Sequence, residues 1–210
     1  MNEDKRQSDW TPKTELGRKV ASGEITSIQQ ILQSGKKILE PQIIDTLLPD
    51  LNEEVIDVKS TQRMTAYGRK MAMRAVVLVG NKQGVIGIGI GKAAETRDAI
   101  AEAISDAKKH IILARFGCGS WECNCGGTHS ISREVKGKAS STRITLKPAP
   151  KGVGVVAGRT AKKVLELAGV KDIWSFTSGR TRNSLNTALA VINAFDSLNK
   201  LKKGKNAQGE

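Results

Sequence analysis

The spacing of apolar residues changes several times along the chain, and each change marks an element. Residues 1–24 follow no period and predict no regular structure. Between 25 and 48 two helical stripes appear, one of Ile28, Ile31 and Leu32 and one of Ile43, Ile44, Leu47 and Leu48. Pro41 starts the second and Pro49 stops it. Strand spacing follows: Glu54–Met64 and Arg69–Val79 alternate around the turn-like Ala66-Tyr67-Gly68, and Gly80-Asn81-Lys82-Gln83-Gly84 leads into a third strand, Val85–Gly91. On that strand Ile86, Ile88 and Ile90 share one face, and Gly87, Gly89 and Gly91 share the other. A glycine face admits another backbone closely, which is either a packed helix or a ligand or nucleic-acid backbone. A helix is predicted at Ala93–Leu113, with Ile100, Ile104, Ala107 and Ile111 inward and Lys108 and Lys109 favourably placed near its C-terminal end.

Periodicity lapses over Arg115–Ser130, which is rich in Gly and Cys, and resumes in a hairpin. Its strands are Ile131–Lys136 and Thr142–Lys147, around Gly137-Lys138-Ala139-Ser140. The extended Pro148-Ala149-Pro150 and a Gly-rich loop precede a helix at Arg159–Ala168, stopped by Gly169. A strand at Val170–Phe176 and a helix at Thr181–Leu198, with Leu185, Leu189 and Ile192 inward, complete the pattern. The fold class is therefore α+β. Residues 1–53 form an N-terminal extension with short helices, 54–114 a β-β-β-α domain, 115–130 a Gly/Cys-rich insertion, 131–200 a β-β-α-β-α domain, and 201–210 a loose basic tail.

Charge changes this picture from a fold into a function class. Residues 1–58 carry 7 basic and 11 acidic side chains, net −4, whereas 59–210 carry 27 and 10, net +17. A surplus spread over the folded body opposes compaction unless a polyanion offsets it, and nucleic-acid phosphates do so with release of counterions. Aromatic residues make up only 3 %, too few for a base-stacking platform. The N-terminus has no apolar core of a signal peptide and no apolar run approaches a membrane span, so the chain reads as soluble, basic and intracellular.

Three motifs invite chemistry. Gly87-Ile88-Gly89-Ile90-Gly91-Lys92 lacks the spacing of a phosphate loop, with Ile86 where Gly is needed and Ala93 where Ser or Thr is needed. Gly152-Val153-Gly154-Val155-Val156-Ala157, with Asp172 about 20 residues on, fits a dinucleotide fingerprint by spacing. The proline-bounded lead-in and the lack of alternating parallel strands and helices speak against that use, although the loop retains backbone donors for a phosphate. Cys118, Cys123, Cys125 and His129 are ligand types suited to zinc, and the surrounding glycines let the loop wrap. The single residue between Cys123 and Cys125 is tighter than usual, so reduced thiols in an RNA-facing loop remain an alternative, and a catalytic Cys/His pair a remote one. No cofactor is required by any of these readings; zinc is the candidate. His110 falls in a helical pattern, packed or exposed, and no carboxylate pair or Ser/His/Asp set marks an enzyme.

The binding signal lies at Lys59–Arg74, where Lys59, Arg63, Arg69, Lys70 and Arg74 occur with no acidic residue. Tyr67 and Gly68 form the tip, and Gln62 and Thr65 add hydrogen-bonding groups. Cations on such a hairpin would meet phosphates together, with Lys82 and Lys92 extending the set; a charged, solvated edge is the alternative.

At this point the residues resemble a family. Arg63-Met64-Thr65, Val79-Gly80-Asn81 with Gly84, Gly89-Ile90-Gly91-Lys92-Ala93, Val135-Lys136-Gly137, Leu146-Lys147-Pro148-Ala149-Pro150 with Gly152 and Gly154, and Leu167-Ala168-Gly169-Val170 occur in the order found in the universal small-subunit ribosomal protein five family. The resemblance spans Ile56–Leu198. Ile38-Leu39-Glu40-Pro41 and the insertion Gly117-Cys118-Gly119-Ser120-Trp121-Glu122-Cys123 are similar to its archaeal branch. The resemblance implies a first domain related to double-stranded-RNA-binding domains and a second of left-handed βαβ type. It also implies a structural, non-enzymatic role in the cytoplasmic small subunit, with ribosomal RNA, ribosomal protein four and other small-subunit proteins as partners, messenger RNA nearby, no membrane, and an influence on decoding accuracy. The RNA-contacting loop maps to Lys59, Gln62, Arg63, Tyr67, Gly68, Arg69 and Lys70. Met71-Ala72-Met73 departs from a good strand sequence and leaves the edge of the second strand open. A free-standing double-stranded-RNA-binding protein is the runner-up, and an enzyme using the Gly152 loop a distant third.

Overall fold

The computed structural model describes residues 10–199. The basic tail expected at 201–210 and the first nine residues lie outside this range. Within it, three short helices precede two four-stranded sheets and three longer helices.

The extension holds α1 (Glu15–Ala21), α2 (Ile28–Ser34) and α3 (Gln42–Leu47). The last two match the two apolar stripes, while α1 corrects the unpatterned reading of residues 1–24. It is too short for periodicity to declare itself, and a remote carboxylate anchors it: Glu40 accepts from Trp10 Nε1 (2.9 Å) and from the backbone N–H groups of Lys13 (3.1 Å) and Thr14 (2.7 Å). Thr14 in turn caps the helix by accepting from Gly17 N. Leu16, Ile28, Ile31, Ile38, Ile43 and Ile44 close over Val85 and Ile111, so the extension has a core of its own against the first sheet.

That sheet runs β1 (Asn52–Thr65), β2 (Gly68–Gly80), β3 (Val85–Ala93) and β4 (Ile111–Leu113), all antiparallel neighbours in that order. Strand β2 continues unbroken through Met71-Ala72-Met73, because β1 pairs with each of those positions. Helix α4 (Thr96–Lys109) stops short of the expected Leu113; Ile111–Leu113 turns back to pair with β3. Its most buried residues are Ala99, Ala103 and Ala107, the last as expected, while Ile100 and Ile104 are half-buried and flank the same cluster. The glycine face explains this. A Cβ on Gly89 would sit 2.0 Å from the Ala103 carbonyl oxygen and 2.2 Å from Ala107 N, so helix and strand are in backbone contact and only small residues fit between them. Of the two readings of the glycines, the packed helix holds. The outer edge of β3 is closed by the same helix, since Ile90 N and Lys92 N donate to the Asp106 and Glu102 carboxylates.

The second sheet has the order β5 (Val135–Ala139), β6 (Thr142–Pro148), β8 (Ile173–Ser178), β7 (Val155–Val156), with β7 parallel to β8. The hairpin turn falls at Ser140-Ser141, later than expected, because Val135 through Ala139 all pair with β6. Strand β7 has two residues, too few to carry a periodic signal. Helix α5 (Arg159–Ala168) ends at Gly169 as expected, and α6 (Ser184–Asn199) buries Ala188, Val191, Ala194, Phe195 and Leu198. Here Gly137 repeats the device of Gly89, its Cβ position lying 2.0 Å from the Ala190 carbonyl oxygen of α6.

The two sheets share one core. Val76, Leu78, Ile86 and Ile88, on the face of the first sheet away from α4, pack with Ala161, Val164, Leu165 and Ala168 of α5 and with α6. Lys82 N and Gly84 N donate to the Leu167 and Ala168 carbonyls, Lys163 pairs with Glu54 at 2.6 Å, and Ser184 Oγ donates to Asp57 Oδ2 at 2.6 Å.

Candidate nucleic-acid interface

Strand β3 pairs with β2 only from Met73 onward, so Thr61–Ala72 projects past the sheet as a two-stranded arm, with Lys59 and Arg74 at its root. Such a ribbon is marginal in water by itself and gains a fixed shape from what it docks on. Its tip is Ala66-Tyr67, with Tyr67 fully exposed, and Met64 and Met71 stand exposed nearby.

Register sorts the predicted residues into two groups. Lys59 opposes Arg74, Arg74 opposes Lys92, and Arg63 opposes Lys70. Directly paired residues share a face, so Lys59, Arg63, Lys70, Arg74 and Lys92 line one side of the arm and its root. This is the side that, further along β2, docks α5. Gln62, Met64, Arg69 and Met71 occupy the opposite side. Lys82 joins neither group. It sits in the turn at the other end of β2, roughly 40 Å from the tip at about 3.4 Å per residue, with φ +56°.

A bulge decides which side the β1 cations take. Val55 pairs with Val77 on the helix side, but the register skips Ile56 and resumes with Asp57 opposite Val76. Strict alternation from Val55 would have placed Lys59 and Arg63 toward the helix side. One extra residue moves them to the face of Arg74 and Lys92. Asp57, turned by the same bulge, pairs with Lys59 at 2.7 Å. Its carboxyl is held below the usual range, first by the Lys59 hydrogen bond and next by Ser184, against the upward push of burial. Arg63, Arg69, Lys70 and Lys92 have no carboxylate partner among the described residues. Their charge faces outward unspent.

In the insertion, the structure brings Cys118, Cys123, Cys125 and His129 together, with all donor atoms within 4.8 Å of one another. Cys118 and Cys125 Sγ are 3.5 Å apart, and Cys123 Sγ lies 3.6 Å from His129 Nε2. Hydrogen bonding from the Cys125 thiol, then from the backbone N–H groups of Lys151 and Cys125, pulls the Cys123 thiol down to about 6, while Cys125 pushes Cys118 up to about 11. His110 takes no part, its ring exposed beside Asp106 at the end of α4.

Sequence reasoning missed the use of Asp172. Its Oδ1 accepts from Gly152 N (3.0 Å) and Gly154 N (2.8 Å), so the Gly-rich loop spends these donors inside the chain rather than on a phosphate. The acidic residue that completed the fingerprint by spacing binds the loop itself. Its Oδ2 lies 2.8 Å from His129 Nδ1, close enough for an ion pair although off the line of a regular hydrogen bond. No signal in the sequence connects Asp172 to His129.

The model of the family described as ribosomal protein S5, N-terminal domain, matches residues 51–114, and that of its C-terminal domain matches 137–208. The chain belongs to the ribosomal protein S5 family. Archaeal relatives named small ribosomal subunit protein uS5 match nearly end to end: that of Methanoregula boonei is 52 % identical over 95 % of this chain and 97 % of its own length. Those of Methanospirillum hungatei (52 %, covering 94 % and 97 %) and Methanocaldococcus jannaschii (54 %, covering 91 % and 88 %) agree. The chain is therefore a structural, non-enzymatic ribosomal protein, and catalytic readings of the Gly152 loop and of the Cys/His set fall away. No described helix is long and apolar enough to cross a membrane.

Proposed function

We propose that this chain holds small-subunit ribosomal RNA on the cationic face of its arm, and that through this placement, beside ribosomal protein four and the messenger entrance, it influences decoding accuracy. The observation that carries the RNA reading is the alignment of Lys59, Arg63, Lys70, Arg74 and Lys92 on one face, with Arg63, Lys70 and Lys92 free of acidic partners among the described residues. Phosphates spaced along a backbone suit such a row, and each one neutralised releases counterions. Arg69 and Gln62 on the reverse face, with exposed Met64 and Met71, give the arm a second side for RNA or a neighbouring protein. The neighbourhood of ribosomal protein four and of messenger RNA is what the family resemblance implies.

The test is Arg63→Ala with Lys70→Ala in the full chain. The salt dependence of binding to small-subunit ribosomal RNA should flatten, with the log–log slope smaller by about 2, one for each phosphate contact removed. The fold should be unaffected, since exposed substitutions change stability by only about ±0.5 kcal/mol. Subunits carrying the variant should misread codons at an altered rate. An unchanged salt slope would reject the cationic face, and an unchanged misreading rate in subunits that contain the variant would reject the link to accuracy.

A further inference from the structure

We propose that Cys118, Cys123, Cys125 and His129 hold one zinc ion in a closed structural site, and that Asp172 positions the histidine for it. Tetrahedral zinc, with Zn–S about 2.3 Å and Zn–N about 2.0 Å, sets its ligands about 3.5–3.8 Å apart. The two closest donor pairs here already stand at 3.5 and 3.6 Å, and no pair exceeds 4.8 Å. Side-chain rotation closes the remainder. Three thiolates and an imidazole are soft ligands that select zinc over magnesium or calcium. All four positions are filled by protein, so the site orders the loop and has no place for a reacting water.

The histidine carries the more specific part of the argument. Its Nε2 faces the thiols while Nδ1 meets the Asp172 carboxylate at 2.8 Å, and the side chain is only 10 % exposed. A carboxylate on the far nitrogen fixes the tautomer that leaves Nε2 free to bind metal. Asp172 is itself fixed by Gly152 N and Gly154 N, and the His129 carbonyl accepts from Lys171 N and Asp172 N. Metal, histidine, carboxylate and Gly-rich loop would thus form one chain of contacts tying the insertion to the second sheet. Nothing apolar does that work: no hydrophobic side chain in 118–129 is buried, and Trp121 is 91 % exposed. Backbone contacts such as Gly117 with Ser130 and Gly119 N with Ile131 O, and the Lys151 N–H on the Cys123 sulfur, supply the other ties. Binding of the ion displaces the thiol protons and changes no oxidation state.

Elemental analysis of the full chain, purified under reductant without chelator, should find about one zinc per chain, as a closed four-ligand site requires. Cobalt(II) substitution should give the thiolate charge-transfer and ligand-field bands of a tetrahedral site. Cys123→Ser with Cys125→Ser should abolish both, whereas His129→Cys, which still offers a ligand, should retain the metal and so separate ligand loss from misfolding. Asp172→Asn should weaken zinc about 10–100-fold against a chromophoric chelator. Less than a tenth of an equivalent of zinc with three freely alkylated thiols, or a Cys118–Cys125 disulfide in the reduced preparation, rejects the site. So does zinc that survives the double serine variant. Unchanged zinc affinity in Asp172→Asn rejects the positioning role.

Discussion

Asp57 shows how much a single side chain can join. It accepts from Ser184 across the boundary between the sheets and pairs with Lys59 at the root of the arm, and both partners hold its carboxyl below the usual carboxylate range. A carboxyl depressed in the folded state adds stability that is fully present above its unfolded value and is lost as pH falls through the folded one. Asp57→Asn should therefore cost on the order of 1 kcal/mol at neutral pH, typical of a hydrogen bond to a partly buried group. The gap from the unsubstituted chain should begin to narrow below about pH 4, where the carboxyl of the unfolded chain protonates, and close once the folded carboxyl is protonated too. Urea titrations of both chains at neutral and acidic pH check this; a gap that stays constant would mean the carboxylate charge contributes nothing. Gly89 and Gly137 make the complementary point: what matters there is the absence of an atom, because a helix backbone occupies the place of a Cβ.

Among the elements, α1 is the one whose existence depends on a distant residue. Seven residues cannot nucleate a helix in isolation, and the Glu40 carboxylate supplies acceptors to Trp10, Lys13 and Thr14 just before its first turn. Glu40→Ala removes all three, at about 1–3 kcal/mol for hydrogen bonds to a charged group. Hydrogen exchange should then quicken over 15–21 while β2 and most of β3 remain protected, since of these strands only Val85 belongs to the core that α1 joins. Unchanged protection of α1 would show that Leu16 and its neighbours suffice. The arm is the opposite case, an element that extends beyond the third strand with its cations outward.

For the chain as a unit, the governing quantity is the net charge of +13, of which +17 falls on residues 59–210. Without RNA these charges repel one another, and salt screens them over a Debye length of about 8–10 Å near physiological ionic strength. The melting temperature of the free protein should rise between low salt and about 0.15 M, whereas its affinity for RNA falls over the same range. A melting temperature that drops with added salt would show that internal ion pairs, such as Lys108 with Asp45 and Lys163 with Glu54, outweigh the repulsion. The shared core favours one unfolding transition for both sheets, as Val76 and Leu78 lose their partners when α5 leaves.

Local patterning was enough for the α+β class, most strands, the long helices, the basic body and the four metal-type ligands. These are properties of near neighbours: period two or 3.6, a proline or glycine at an end, a cluster of cysteines within one loop. It failed where one residue depends on another far away in sequence. Helix α1 needed Glu40, and α4 ended early because Ile111–Leu113 found the edge of β3. The alanine face of α4 was set by glycines on another strand. Asp172 could be read only by its spacing until folding placed it between two glycine N–H groups and His129. The bulge at Ile56 is the sharpest instance: hydrophobic alternation cannot register an unpaired residue, yet that residue decides which face of the arm Lys59 and Arg63 present.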